Sequence, residues 1–340
     1  MSANVLEVDN LQTSFFTRKG EVKAVRGVSF DLAPGEILGI VGESGSGKSV
    51  TAMSIMQLLA HGGKIVGGSV RFDGKDLATL PDAQLRAIRG KRISMVFQDP
   101  MSSLNPLIPV GKQVRELLDT HEKMSKAEAK ERVLELFRMV RIPEPERRYS
   151  SYPHEFSGGM RQRVMIAMAL ACKPEVLIAD EPTTALDVTI QDQILRILRR
   201  LQAELGMSVI FITHDLGVVA EVCSRVAVMY GGTIVEEGTL DEIFSHTAHP
   251  YTLGLLASVP RIDGDRDERL ESIPGSPPDL MFPPQGCAFA DRCAYARQIC
   301  QTTPPPATRL SDTHVSHCHL LSPEAPAENN PLTEVRSAHA

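Results

Sequence analysis

The sequence predicts an α/β fold organised around a glycine-rich loop, with a small cysteine-rich extension behind it. Three observations carry that prediction. Gly42-Glu43-Ser44-Gly45-Ser46-Gly47-Lys48-Ser49 fits G-x-x-x-x-G-K-[ST] at every fixed position, between the apolar run Ile37–Val41 and the helix-patterned Val50–Met56. That is the strand, loop, helix order a phosphate-binding loop requires. Further strand-length apolar runs, Ile93–Phe97, Val176–Ala179 and Ser208–Ile212, alternate with helical patterns, as an α/β core demands. Four cysteines, Cys287, Cys293, Cys300 and Cys318, follow a proline-rich break.

The 340 residues suit one large domain plus an appendage, and a 42% hydrophobic share supports a sizeable core. The net charge of −6 argues against nucleic acid as the main partner, because phosphate-backbone binders carry a basic excess. Met1–Asn10 is polar and mixed, so no export signal is expected. The apolar runs fall short of the roughly 18 to 20 residues of a membrane helix, so work at a membrane would depend on other chains. Six cysteines without an export signal predict reduced thiols.

In chain order, residues 4–41 read as strands over Val5–Val8, Leu11–Phe16 and Ala24–Leu32, with a turn at Arg18-Lys19-Gly20. Phe15, ahead of Phe16, is the candidate to stack on an adenine ring; a phenylalanine at strand spacing serves a core equally well. From Gly42 to Val50 the glycines at 42, 45 and 47 let successive N–H groups turn toward a triphosphate, and the following helix adds its positive end. Lys48 is placed for the β- and γ-phosphates and the Ser49 hydroxyl for magnesium. A hairpin strand is expected near Gly67–Gly74 and a polar helix over Asp82–Ile88. The strand Ile93–Phe97 ends at Gln98, which can contact magnesium or the attacking water, and Asp99–Pro106 reads as a movable loop. Val110–Ile142 is mostly helical, with Ser125 and Glu128 as a capping box and Pro143 and Pro145 as its end.

Ser157-Gly158-Gly159 open the helix that runs on to Cys172 and present N–H groups suited to an anion, without a lysine. Val176–Ala179 closes in two carboxylates: Asp180 to hold magnesium and Glu181 to take a proton from a water attacking the γ-phosphate. Asp187 opens a helix whose apolar face is Ile190, Ile194, Leu198, Leu201 and Leu205, stopped by Gly206. After Ser208–Ile212, His214 is placed to hydrogen-bond the γ-phosphate. Arg225–Tyr230 and Thr233–Val235 close the α/β part.

The phosphate loop, Gln98, the Phe156–Gln162 loop, Asp180-Glu181, Asp187 and His214 stand in the order and spacing of an ABC-transporter ATPase, which the chain resembles over about residues 4–250. The resemblance implies a P-loop NTPase domain over 1–250. It has a RecA-like core, an antiparallel β subdomain and a helical subdomain at about 99–170. It implies ATP and Mg2+, the metal held by Ser49, Gln98 and Asp180, with Glu181, His214 and Gln98 as the catalytic set. It further implies a head-to-tail dimer in which Ser157, Gly158, Gly159, Met160, Arg161 and Gln162 of one subunit meet the ATP of the other, with Asp187 in the D-loop. Phe156 and Met160 depart from the commonest leucine and glutamine of that loop; the Ser-Gly-Gly is intact. His154–Arg163, Gln98–Pro106 and His249-Pro250-Tyr251-Thr252 look like the oligopeptide, dipeptide and nickel importers. Gly42–Thr51 resembles the D-type subunit of the dipeptide and oligopeptide systems more than its F-type partner. That narrower likeness implies two transmembrane permease subunits, a second, related ATPase subunit in a heterodimer, an extracytoplasmic peptide-binding protein acting indirectly, and a place on the cytoplasmic face of the inner membrane. Nickel or another small solute is the alternative cargo. A soluble ATPase acting on DNA or ribosomes fits less well, with about 107 residues between Ser49 and Ser157 and a single ATPase domain. A redox-regulated module is a third reading.

Residues 251–322 form the expected extension. Five prolines and a glycine between Pro274 and Pro284 make a linker or extended clasp. The four cysteines, separated by five, six and seventeen residues, are enough to enclose a metal centre but lack C-x-x-C pairs, and His314, His317 and His319 lie close by. The peptide-importer resemblance implies a [4Fe-4S] cluster on Cys287, Cys293, Cys300 and Cys318, with zinc as the alternative and reduced structural thiols third. Cys172 and Cys223 read as packing residues. Residues 323–340, rich in Pro, Ala, Glu and Asn, are expected to be disordered.

Overall fold

A computed structural model describes residues 4–184, 186–259, 272–325, 328 and 330–333, apart from the side chain of Pro100. The chain divides into two compact units, one drawn from Met1–Leu6, Leu32–Ile37 and Phe72–Ile212, the other from Glu7–Asp31, Leu38–Arg71 and Thr213–Ala340. The division does not follow residue 250, since the extension clusters with the phosphate loop.

In the first unit the strands Ser208–Thr213, Val176–Asp180 and Ile93–Val96 are neighbours in that order and run parallel, with Val176 opposite both Ile93 and Ser208. Every residue of Val176–Asp180 is buried, which is why Val176–Ala179 is continuously apolar instead of alternating. Helix Val188–Leu205 buries Ile194, Leu195, Ile197, Leu198 and Leu201. It starts at Asp187, whose carboxylate accepts the Ile190 N–H (3.0 Å), and stops at Gly206 with φ 66°. Five α-helices lie between residues 100 and 169, Val110–His121, Lys126–Met139 and Gly158–Ala169 being the long ones. The mostly helical stretch over Val110–Ile142 is two helices. Ser125 and Glu128 start the second, each side chain accepting the other's backbone N–H (3.3 and 2.7 Å).

In the second unit the first strand is longer than the sequence suggests. Leu6–Thr17 is continuous because Asn10, at φ 46°, absorbs the break, its N–H donating to Ser29 Oγ (2.8 Å). Thr308–Arg309, Val315–Ser316, Thr233–Thr239, Arg225–Tyr230 and Ile37–Val41 are neighbours in that order. The Leu38–Val41 stretch lies parallel to Arg225–Val228 and the other pairs are antiparallel. The extension thus adds two strands to the sheet, with Glu236 opposite Ser316. The proline-rich segment is a clasp: the Leu280 carbonyl accepts the Lys23 N–H (2.9 Å) and the Pro284 carbonyl accepts Arg26 Nη2 (3.2 Å).

The expected disorder from residue 323 is corrected in part. Leu332 is fully buried with Ala248, Cys318, Leu320 and Leu321, and Asn330 Nδ2 donates to the Leu320 carbonyl (3.0 Å). Ala325 is buried as well, so part of the proline-rich tail packs on the extension; residues 326, 327, 329 and 334–340 lie outside the described residues. Among the described residues no helix is long and apolar enough to cross a membrane.

Candidate nucleotide site

The phosphate loop belongs to the second unit. Gly42 has φ 154°, and a Cβ there would sit 2.1 Å from the Met229 carbonyl oxygen, so the strand-to-loop turn admits only glycine. Gly47, at φ 102°, directly precedes the helix Lys48–Ile55, which carries Ser49 and Val50. Lys48 is buried and its Nζ donates to the carbonyls of Gly42 (2.7 Å) and Glu43 (3.0 Å), so the ammonium lies across the loop it closes. The Ser46 carbonyl accepts the Gly232 N–H (3.0 Å), and Gly45 faces open space. Phe15 is half-buried with its ring against Gly63, while Phe16 is 50% exposed beneath Lys64. His214 is exposed at the end of its strand, next to Asp215, whose carboxylate caps the following helix by accepting the Gly217 N–H (2.8 Å).

Side chains far along the chain hold the loop from behind. The Glu43 N–H donates to the Tyr251 hydroxyl (2.9 Å), and both Glu43 carboxylate oxygens accept from Arg292 (2.5 and 3.0 Å). Tyr251 packs with Tyr230 and Phe289, ring centroids 4.6 and 5.2 Å away, and burial pushes its phenol above the ordinary range. Burial holds the His249 ring down at about 3, so it is neutral and its Nδ1 accepts the Tyr251 N–H (3.0 Å). Tyr251 sits in the His249–Thr252 motif, to which sequence reasoning gave no role. Arg292 had no signal at all, its partner lying 249 residues upstream.

The carboxylate pair belongs to the first unit. Asp180 ends its strand buried, and Glu181 follows at φ 46° with its N–H donating to the Ile212 carbonyl (2.9 Å). One Glu181 oxygen accepts from Gln98 Nε2 (2.9 Å) and from Thr184 Oγ1 (2.8 Å). The structure thus brings Gln98 and Glu181 together, and Thr184 joins them unforeseen. Ser157 caps the helix Gly158–Ala169, its hydroxyl accepting the Met160 N–H (3.4 Å), and Ser157 and Gly158 are exposed. A Cβ on Gly159 would meet Ile190 at 2.5 Å. Arg161 is turned back onto the Pro153 carbonyl (2.9 Å), and Gln162 is buried.

The four extension cysteines form no disulfide among the described residues, and Cys287, Cys293 and Cys300 all lie near enough to Cys318 to act on its charge. Burial pushes the Cys318 thiol up to about 12, and the charges of Cys287, Cys293 and Cys300 act in the same direction; burial likewise takes Cys293 to about 11. The Cys287 N–H donates to the Cys300 carbonyl (2.7 Å), and the Arg297 N–H points at Cys300 Sγ (3.5 Å). Among the described residues no three His, Cys, Asp or Glu side chains converge on one point that could hold a single ion. The histidines are engaged elsewhere: His314 with Glu236 (2.9 Å), His319 with the Thr303 carbonyl (2.9 Å) and His317 with the Pro305 backbone. Cys172 contacts the Leu117 carbonyl (3.9 Å), and Cys223 is buried against Gly39; both act as packing residues.

Residues 25–184 match the profile of the ABC transporter family, and residues 235–300 match that of the oligopeptide/dipeptide transporter C-terminal region. The chain is 57% identical over 328 residues to the oligopeptide transport ATP-binding protein OppD of Bacillus subtilis (strain 168), covering 96% of this chain and 92% of the relative. It is 55% identical over 322 residues to the dipeptide transport ATP-binding protein DppD of the same organism, covering 94% and 96%. Among solved structures it is similar to the dimeric post-hydrolysis state of the ATP-binding cassette MJ0796 bound to ADP and Pi. The TM-score is 0.63 at 32% identity, over 69% of this chain and 98% of that one.

Proposed function

This chain belongs to the ABC transporter family, in the branch with the oligopeptide/dipeptide C-terminal region, and from that premise we propose how its residues power transport. It is an ATP-binding, ATP-hydrolysing subunit that drives import of di- and oligopeptides in company with membrane permease subunits. The observation that carries the chemistry is the Glu181 carboxylate, fixed by Gln98 and Thr184 next to the buried Asp180.

In this reading the backbone from Gly42 to Val50 cradles the triphosphate, Lys48 leaves the loop carbonyls for the β- and γ-phosphates, and Phe15 stacks on the adenine. Ser49, Gln98 and Asp180 offer only oxygen ligands, the set a hard cation such as Mg2+ prefers. When bound, the ion neutralises phosphate charge. Glu181 accepts the proton of the attacking water, and His214 hydrogen-bonds the γ-phosphate. Ser157–Gln162 and Asp187 serve the ATP of a second ATPase subunit, a related chain rather than an identical one. Two permeases hold the pair at the cytoplasmic face of the inner membrane, and an extracytoplasmic binding protein selects the peptide. A [4Fe-4S] group on Cys287, Cys293, Cys300 and Cys318, with zinc as the alternative, rests on the likeness to the peptide importers and on four thiols being enough to enclose such a group.

The test is reconstitution of the chain with its permeases and partner ATPase in vesicles. ATP-dependent uptake of di- or oligopeptides is expected, falling to background with Lys48→Ala, which removes nucleotide binding. Uptake of nickel and not peptide would reassign the cargo; no nucleotide binding by the unaltered chain would remove the ATPase reading.

A further inference from the structure

Glu43 poses a problem that its own loop does not solve. It is the second residue of a segment whose N–H groups and lysine are arranged for anions, yet it carries a carboxylate. A negative charge a few ångströms from a triphosphate opposes binding unless it is neutralised.

The structure supplies the neutralising group from the extension. All five N–H donors of the Arg292 guanidinium are used. Nη1 serves Glu43 Oε2 (2.5 Å) and the Tyr230 hydroxyl (3.2 Å), Nη2 serves Glu43 Oε1 (3.0 Å) and the Ile273 carbonyl (3.1 Å), and Nε serves the Pro274 carbonyl (2.8 Å). The side chain is 5% exposed and lies over the Tyr230 ring, 5.7 Å from its centroid. Such a fork fixes a carboxylate in orientation as well as in charge, which a lysine cannot do. Both partners are in the same compact unit.

We propose that Arg292 is a positioning residue of the nucleotide site: it neutralises Glu43 and holds its carboxylate toward the extension, so that the phosphate loop meets the triphosphate without that charge. The extension is then part of the ATP-binding apparatus. The inference rests on the ATP reading of the loop.

Three consequences separate this from a merely structural contact. With the full-length chain and a fluorescent ATP analogue, Arg292→Ala is expected to raise Kd about 10-fold, the repulsion of one uncovered charge at that range. Adding Glu43→Gln to Arg292→Ala removes the uncovered charge and is expected to restore most of the affinity. The Arg292→Ala deficit is expected to shrink at high salt, where a partly exposed carboxylate is screened. Should Arg292→Ala not fold, Arg292→Lys, which keeps the charge but loses the fork, is expected to give an intermediate loss with the same rescue and salt dependence. Wild-type affinity in a folded Arg292 variant, or a double variant as weak as the single, would overturn the proposal. Absence of ATP binding by the unaltered chain would instead overturn the nucleotide reading beneath it.

Discussion

Glu181 is the residue on which hydrolysis is expected to turn, and its backbone marks it before its side chain does. A glutamate at φ 46° is in the left-handed region, a conformation that costs on the order of 1–3 kcal/mol and persists only where surroundings impose it. Here the N–H is tied to Ile212, and the carboxylate is tied to Gln98 and Thr184. Glu181→Gln is expected to leave ATP affinity intact while slowing single-turnover hydrolysis about 100- to 10,000-fold, the usual contribution of a general base. Unchanged turnover would remove it from that role. The Asp180-Glu181 pair was legible in the sequence because two carboxylates closing an apolar run are chemically conspicuous. Thr184 was not, since a threonine in a turn gives no sign of which side chain its hydroxyl will reach. Arg292 illustrates the general limit: a local pattern carries no information about a partner brought in by the fold.

At the scale of elements, what was legible had a period or a cap. The Ser125–Glu128 start of Lys126–Met139 and the buried run Val176–Asp180 follow directly from spacing. The strands Thr308–Arg309 and Val315–Ser316 did not, because two residues are too few to show alternation. A further capping box, at Thr239 and Glu242, does more than start a helix. Glu242 accepts the Thr239 N–H (2.8 Å) at the head of Leu240–Ser245 and also binds the hydroxyls of Ser311 and Thr313 (2.5 and 2.9 Å), tying the extension to that helix. Burial alone would raise its carboxyl, but these donors pull it down from 4.5 to about 2. A depressed carboxylate contributes stability that is present above its unfolded value and lost as pH falls through its folded one. Glu242→Gln is therefore expected to lower the urea midpoint at neutral pH, with the gap to the unaltered chain closing between pH 4.5 and about 2. A gap independent of pH would show that the charge is not what these donors hold.

At the scale of the whole chain, the cysteine segment reads in sequence as an appendage after a linker, yet it shares a compact unit with the phosphate loop. It adds strands beside Thr233–Thr239 and sends Phe289 against Tyr230 and Tyr251. In the reading proposed above, the four cysteines of that segment are ligands and not packing residues, and Cys287, Cys293 and Cys300 lie close enough to Cys318 for their charges to bear on it. Thiols become ligands only as thiolates, and an electrophilic iron group repays the deprotonation that burial makes costly. Anaerobic purification of the full chain is therefore expected to yield iron and acid-labile sulfide in equal amounts with a broad visible absorption, all lost on Cys300→Ser. Stoichiometric zinc with no iron would make the segment a single-ion clip and the thiols rearrange to meet at one point. Metal-free protein with unaltered stability would leave them as packing residues. In either case Arg292 and Tyr251 would keep their hold on the phosphate loop, because both reach it through their own hydrogen bonds and not through a cysteine.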